Sequence, residues 1–159
     1  MLDECVVKGF TTCRYLALSY KLGGVSVLQA KTQTISDLQK PGSLRRLRDS
    51  LSNTVRDAMD LTKDIGQRYL WVDQLCTIQD DLAKKQAAIN SMSGVYAFAF
   101  LTIIAADGND AHAGLRGYGS RPRGCEQMAY EIGSGLKLLL VPDLVEILAA
   151  LPYESRAWT

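Results

Sequence analysis

The chain is short of the groups that most catalytic and metal sites need. It has one histidine, His112, and no glutamate between Glu4 and Glu126. Its thiols, Cys5, Cys13, Cys76 and Cys125, include no C-x-x-C pair, so the close ligand pairs of a zinc site are missing. Any nucleophile relying on an imidazole base has only His112, which lies in a loop of small residues, 110–114. No uncharged apolar stretch approaches the ~18 residues that would cross a bilayer, and the N-terminus has no secretory h-region. Lys and Arg number 18 against 17 Asp and Glu, a net charge of +1, which supplies no field for nucleic acid or anionic lipid. The expected partners therefore exclude nucleic acid and membrane. What is present is ordinary for a globular domain: 159 residues, 47% hydrophobic and 22% charged. A reduced, cytoplasmic protein with free thiols is the expectation.

Apolar spacing then divides the chain. Residues 14–20, RYLALSY, predict a strand, with Val6 and Val7 as a short edge strand before it and Gly23-Gly24 as the turn after it. Residues 25–43 are polar and mixed. Leu44, Leu47, Leu51, Val55, Ala58, Thr62 and Ile65 fall at steps of three and four, one helical face, with a break near 50–53. Thr54 and Asp57 fit a capping box for the longer piece. Residues 68–72, RYLWV, predict a strand buried on both faces. A second helix is expected over 82–98, with Leu82, Lys85, Ile89, Met92, Tyr96 and Ala99 on one stripe, and a third strand over 100–106. This β-α-β-α-β order favours parallel strands joined by right-handed crossovers. Residues 107–124 predict a surface loop rich in glycine and arginine. MAYEI (128–132) and LKLLLV (136–141) predict a β-hairpin, and DLVEILAAL (143–151) a short helix.

In such a sheet ligands bind beyond the carboxyl ends of the strands. Ser19, Tyr20, Asp73 and Asp107 stand there, Gly23 and Gly24 would let a backbone approach a phosphate or ribose, and Cys76 and Asp80 follow the second strand. These residues form the candidate ligand pocket; no catalytic residue is assigned and no metal expected. Each also has a plainer reading. Asp and Ser after strands cap the next helix. Asp80 and Asp81 either bind a cation with Asp73 or face the positive end of the helix starting at 82. Cys76 is either an inert thiol or a nucleophile. The arginine clusters 45, 46, 48 and 116, 121, 123 read as solvated faces, and Trp71 as core.

Three blocks in order resemble the fungal heterokaryon-incompatibility (HET) domain. The first is Cys13-Arg14-Tyr15-Leu16-Ala17-Leu18-Ser19-Tyr20 with Gly23. The second runs from Thr54-Val55-Arg56-Asp57-Ala58-Met59 through Gly66-Gln67-Arg68-Tyr69-Leu70-Trp71-Val72-Asp73-Gln74-Leu75-Cys76 and Gln79-Asp80-Asp81 to Thr102-Ile103-Ile104-Ala105-Ala106. The third is Ser155-Arg156-Ala157-Trp158-Thr159, similar to the opening of the family's Arg-x-Trp-Thr-x-Gln-Glu block. The resemblance implies one domain over 1–159, cut from a larger protein before the Gln-Glu. It implies an effector of fungal non-self recognition that signals programmed cell death by self-association or through another signalling protein. It makes Arg68, Tyr69, Trp71, Gln79, Asp81, Arg156 and Trp158 motif residues. The family is distantly similar to Toll/interleukin-receptor (TIR) domains, which implies a three-layer Rossmann or flavodoxin-like α/β core with a C-terminal hairpin and short helix. Some TIR domains cleave NAD, so NAD is the one small molecule the resemblance suggests, although no cofactor is expected. Two departures stand against full function: Leu22 replaces a frequent Trp, and the helix after Asp81 carries Lys84 and Lys85 where NAD-cleaving TIR domains have a glutamate. A degenerate copy without output is the remaining alternative.

Overall fold

The computed structural model describes residues 3–10, 12–123, 128–139, 143 and 151. In chain order the elements are β1 (Tyr15–Tyr20), α1 (Ile35–Leu38), α2 (Ser43–Arg46), a 3-10 turn (Arg48–Ser50), α3 (Asn53–Asp64), β2 (Tyr69–Trp71), α4 (Asp73–Cys76), α5 (Leu82–Ala97), β3 (Leu101–Ala105), β4 (Ala129–Gly133) and β5 (Leu136–Leu139). The molecule is mixed α/β. Strands β2, β1 and β3 form a parallel sheet in that order, and β4 and β5 form a separate antiparallel hairpin.

Strand β1 lies in the middle, and its pattern explains why. Leu16, Leu18 and Tyr20 face the main core with Val72, Ile103 and Ala105, while Ala17 and Ser19 point the other way and are buried too. A strand apolar on both faces is stable only between two neighbours. The core side is closed by α3, which contributes Val55 and Ala58, and by Leu38, Leu44 and Leu51. The predicted helical face from Leu44 to Thr62 is therefore real, and the expected break falls at the 3-10 turn and Ser52. Ile65 is exposed because the helix has ended before it.

The opposite face is covered more thinly. Helix α5 rests on it through Tyr96, whose ring meets Trp71 edge to face at 5.6 Å, and through Val95, whose carbonyl accepts a hydrogen bond from the Tyr15 hydroxyl at 2.6 Å. Ile89, Met92 and Tyr96 are half-buried as the stripe predicts, but Leu82 is 84% exposed.

Several expectations are corrected. Val6 and Val7 form no strand; the segment is held by backbone bonds from Val6 to Leu38 and from Leu44 to Glu4. Strand β2 is half-buried, not buried on both faces, because in the order β2-β1-β3 it stands at an edge of the described sheet. Trp71 is likewise only half-buried. The mixed segment 25–43 hides the short helix α1 and opens α2. The arginines stand largely in solvent as read, with Arg45, Arg46, Arg116 and Arg123 exposed, but four of them also form ion pairs: Arg45 with Glu4, Arg48 with Asp60, Arg116 with Asp107 and Arg121 with Asp57. The hairpin stands where predicted, with its described strand residues all exposed. The short helix over 143–151, Arg156 and Trp158 lie outside the described residues, apart from Asp143 and Leu151.

Candidate functional site

Parallel pairing puts the carboxyl ends of all three strands along one edge. Tyr20 stands opposite Ala105, so Ala106 and Asp107 extend just beyond the end of β1. Trp71 stands opposite Ala17, so Asp73 follows at about the level of Ser19. The chain moves from β1 outward to β2 and then back past β1 to β3. The switch in direction falls between β1 and β3, where open α/β sheets leave a crevice.

That crevice is roofed by the chain itself. Segment 107–123 returns over the β1 and β3 ends. Gly23 has φ 69°, and a Cβ there would collide with Asp110. The close approach that this glycine permits is thus to the chain's own loop. Next to it, the Ala111 amide donates to the Leu22 carbonyl at 3.0 Å. Gly24 is open, with nothing near its absent side chain. Ser19 and Tyr20 are buried beneath.

The roof is fastened to α3. The Thr54 amide donates to the Ala111 carbonyl (3.1 Å), and the Asn53 side-chain amide donates to the His112 carbonyl (2.6 Å). Gly114 N–H donates to Thr54 Oγ1 (3.0 Å). Asp57 Oδ2 accepts both the Leu115 amide (2.8 Å) and Arg121 Nε (2.6 Å). Tyr118 donates its hydroxyl proton to Asp64, and desolvation together with that carboxylate pushes the phenol up to about 12. Thr54 and Asp57 therefore do not form a capping box. Ser52 is the N-cap, without a side-chain bond, and the two side chains hold a loop about 58 residues away in sequence. Their spacing of three puts both on one side of the helix, which suits either use.

Beneath the roof lies an open cavity of about 420 Å3. Leu61, Ile103, Leu115 and Tyr118 give it apolar walls, and Asp107 and Arg116 stand at its rim as an ion pair at 2.7 Å. Of the predicted pocket residues, only Asp107 lines it.

The rest of the predicted set gathers after β2. Gln79 Nε2 donates to the carbonyls of Asp73 and Thr77, both at 3.2 Å. Asp80 Oδ1 accepts the Thr32 amide at 2.8 Å and the Thr32 hydroxyl at 3.1 Å, and these bonds lower its pKa. Asp81 caps α5, accepting Lys84 N–H at 3.1 Å, and its pKa is lowered first by its bond to the Lys84 side chain. The cation reading of this acidic pair is thereby replaced by two local ties. Among the described residues no three His, Cys, Asp or Glu side chains converge on one point. Cys76 is exposed as a residue, but its Sγ turns back to the Val72 amide (3.4 Å), and desolvation pushes the thiol up to about 11, away from the thiolate a nucleophile needs. Arg68 is exposed, its guanidinium 5.5 Å from the Tyr69 ring. These motif residues shape the link between β2 and α5.

Sequence reasoning missed the residues that build the roof: Thr54 and Asp57 as its fasteners, with Arg116, Tyr118 and Arg121 in the loop. The available signal was Ala111, Leu115 and Tyr118, apolar or aromatic residues set within a glycine-rich segment.

A parallel sheet with crossover helices and a loop folded over its carboxyl edge defines an α/β domain. The chain belongs to the heterokaryon incompatibility protein (HET) family, whose sequence model matches residues 15–159. No curated protein and no solved structure matches the chain. Membership places it in a fungal context with a role related to heterokaryon incompatibility. No described helix is long and apolar enough to cross a membrane.

Proposed function

We propose that this chain is an effector domain of heterokaryon incompatibility that acts in the cytoplasm and triggers programmed cell death by assembling with further copies or with another signalling protein. The observation that carries the reading is the family match over residues 15–159. Support for assembly comes from the hairpin, where Tyr130, Ile132, Leu136 and Leu138 are all exposed. Clustered exposed apolar side chains mark surfaces that meet other molecules. The test is forced oligomerisation of the full-length protein in a compatible fungal strain. Loss of viability is expected, and unaffected growth at equal protein levels overturns the proposal.

A second reading has a specific observation in its favour. The parallel order β2-β1-β3 is the same as that of the first three strands of flavodoxin-like sheets, whose crevice lies between β1 and β3. A TIR-like enzyme would take NAD or a related nucleotide as substrate there. The chain offers aspartates rather than glutamate near that edge, and a carboxylate one methylene shorter must be placed by the backbone itself, where ~1 Å costs about 100-fold in rate. Nicotinamide release from NAD by the assembled protein, abolished in Asp73→Ala and Asp107→Ala, would establish this reading. Absence of release from an assembly that kills cells would remove it.

A further inference from the structure

The roof over the strand ends differs physically from the body it covers. Residues 107–123 contain no helix or strand. Their apolar anchors are few: Ala111 and Leu115 are buried, Tyr118 half-buried. An open cavity lies beneath part of the segment instead of packed side chains. Most of its hold on α3 is polar and falls on three side chains, Asn53, Thr54 and Asp57. The backbone is shaped by Gly114, Gly117 and Gly119, all with positive φ. Arg121 lies against Gly114 so closely that any Cβ there would collide with it, and the same arginine reaches Asp57. Segments with few apolar contacts and many side-chain ties open before the core does.

We propose that residues 107–123 form a strap latched by Asp57, which opens as a unit while the sheet stays folded and so uncovers the β1–β3 crevice and the adjoining cavity between β3, α3 and the strap. Asp57 is the latch because one carboxylate oxygen holds two separated points of the strap, the Leu115 amide and Arg121. Losing it frees both at once. Opening breaks the Leu22–Ala111 bond and lifts Asp110 from Gly23, so the buried end of β1 gains access to solvent. The nucleotide-cleaving reading needs that edge reachable, yet the strap's opening can be measured whichever reading holds.

Arg116 and Arg123, each followed by glycine, make the strap a trypsin target, so nicking reports its opening. On the full-length protein, the amides of Gly114 and Leu115 should exchange together and faster than those of Leu16 and Leu18. Asp57→Asn should raise both this exchange and trypsin nicking after Arg116 and Arg123 by about ten- to hundredfold, as expected for losing charge-assisted bonds. Gly114→Ala acts on the strap side of the same contact, through the collision with Arg121, and should do the same. In both variants the Leu16 and Leu18 amides should slow or hold within a factor of a few. The proposal is overturned if wild-type strap and β1 amides exchange at one common rate, if nicking and β1 exchange rise by equal factors in the variants, or if neither variant changes nicking. The wild-type comparison decides the matter even where a variant fails to fold.

Discussion

Helix α3, of 12 residues, buries Thr54, Val55, Ala58 and Thr62, whereas α5, of 16, has no fully buried residue. Both are crossovers of the same sheet. The difference follows from what their faces offer. Helix α3 presents Val55, Ala58 and Thr62 at helical spacing to Leu16 and Leu18, with Leu51 packing beside them, and apolar burial of this kind is the main source of helix stability in proteins. Helix α5 leaves Ala87 and Ser91 exposed and only half-buries Ala88, Ile89, Met92, Gly94, Val95 and Tyr96. Only near its C-terminal end do Val95 and Tyr96 reach the sheet. Sequence length and helicity therefore say little about how firmly an element is held. The same sheet has one face built as core and another lightly clasped.

The largest break in this symmetry should come from one substitution made on both helices. Ala58→Asp places a charge where the wild-type residue is 0% exposed and should cost about 4 kcal/mol or more. Ala87→Asp, on the exposed side of α5, should stay within about 0.5 kcal/mol. Urea midpoints compare them directly. Tyr96→Ala removes the aromatic contact with Trp71 and should cost about 2 kcal/mol. It should speed amide exchange in α5 far more than in α3.

A smaller effect is expected at Glu4, which ties the N-terminal segment to α3 through Lys63 at 2.8 Å and also meets Arg45. The bond from Lys63 holds its carboxyl below the ordinary 4.5. Its stabilisation is therefore present above pH 4.5 and is lost as pH falls through the lower folded value. Glu4→Gln should cost about 1 kcal/mol at neutral pH and nothing once the wild-type carboxyl is protonated. Comparing urea midpoints across acid pH checks both the sign and the window. The smallest change belongs to Asp81→Ala. It should accelerate exchange of the Lys84 amide, fray the first turn of α5 and lower stability by about 0.5 kcal/mol, the low end for loss of an N-cap.

The regions most readable from sequence were those where local pattern and burial coincide. Strand β1 emerges within one residue of its expected start, and the helical face from Leu44 to Thr62 and its break are where the spacing puts them. Strand β2 was readable as a strand but not in its burial, since RYLWV does not record that it stands at the edge. The acidic residues after the strands divide: Asp81 caps α5, the plainer of its two sequence readings, whereas the ties of Asp80 to Thr32 and of Asp107 to Arg116 have no spacing signal. The Thr54–Asp57 pair is the clearest case. Its local signal matched a cap, yet both side chains bond to residues about 60 positions later. Long-range partners of polar side chains leave no periodic trace, so the roof could only be found once the chain was folded.

The central place of β1 also bears on how the molecule is made. It is translated before either of its partners, for Leu16 pairs with Leu70 on one side and with Leu101 on the other. Its apolar ribbon must wait for half the domain to be synthesised before either flank is closed. Folding that needs such distant pairings is slow, and the apolar ribbon stays exposed in the meantime.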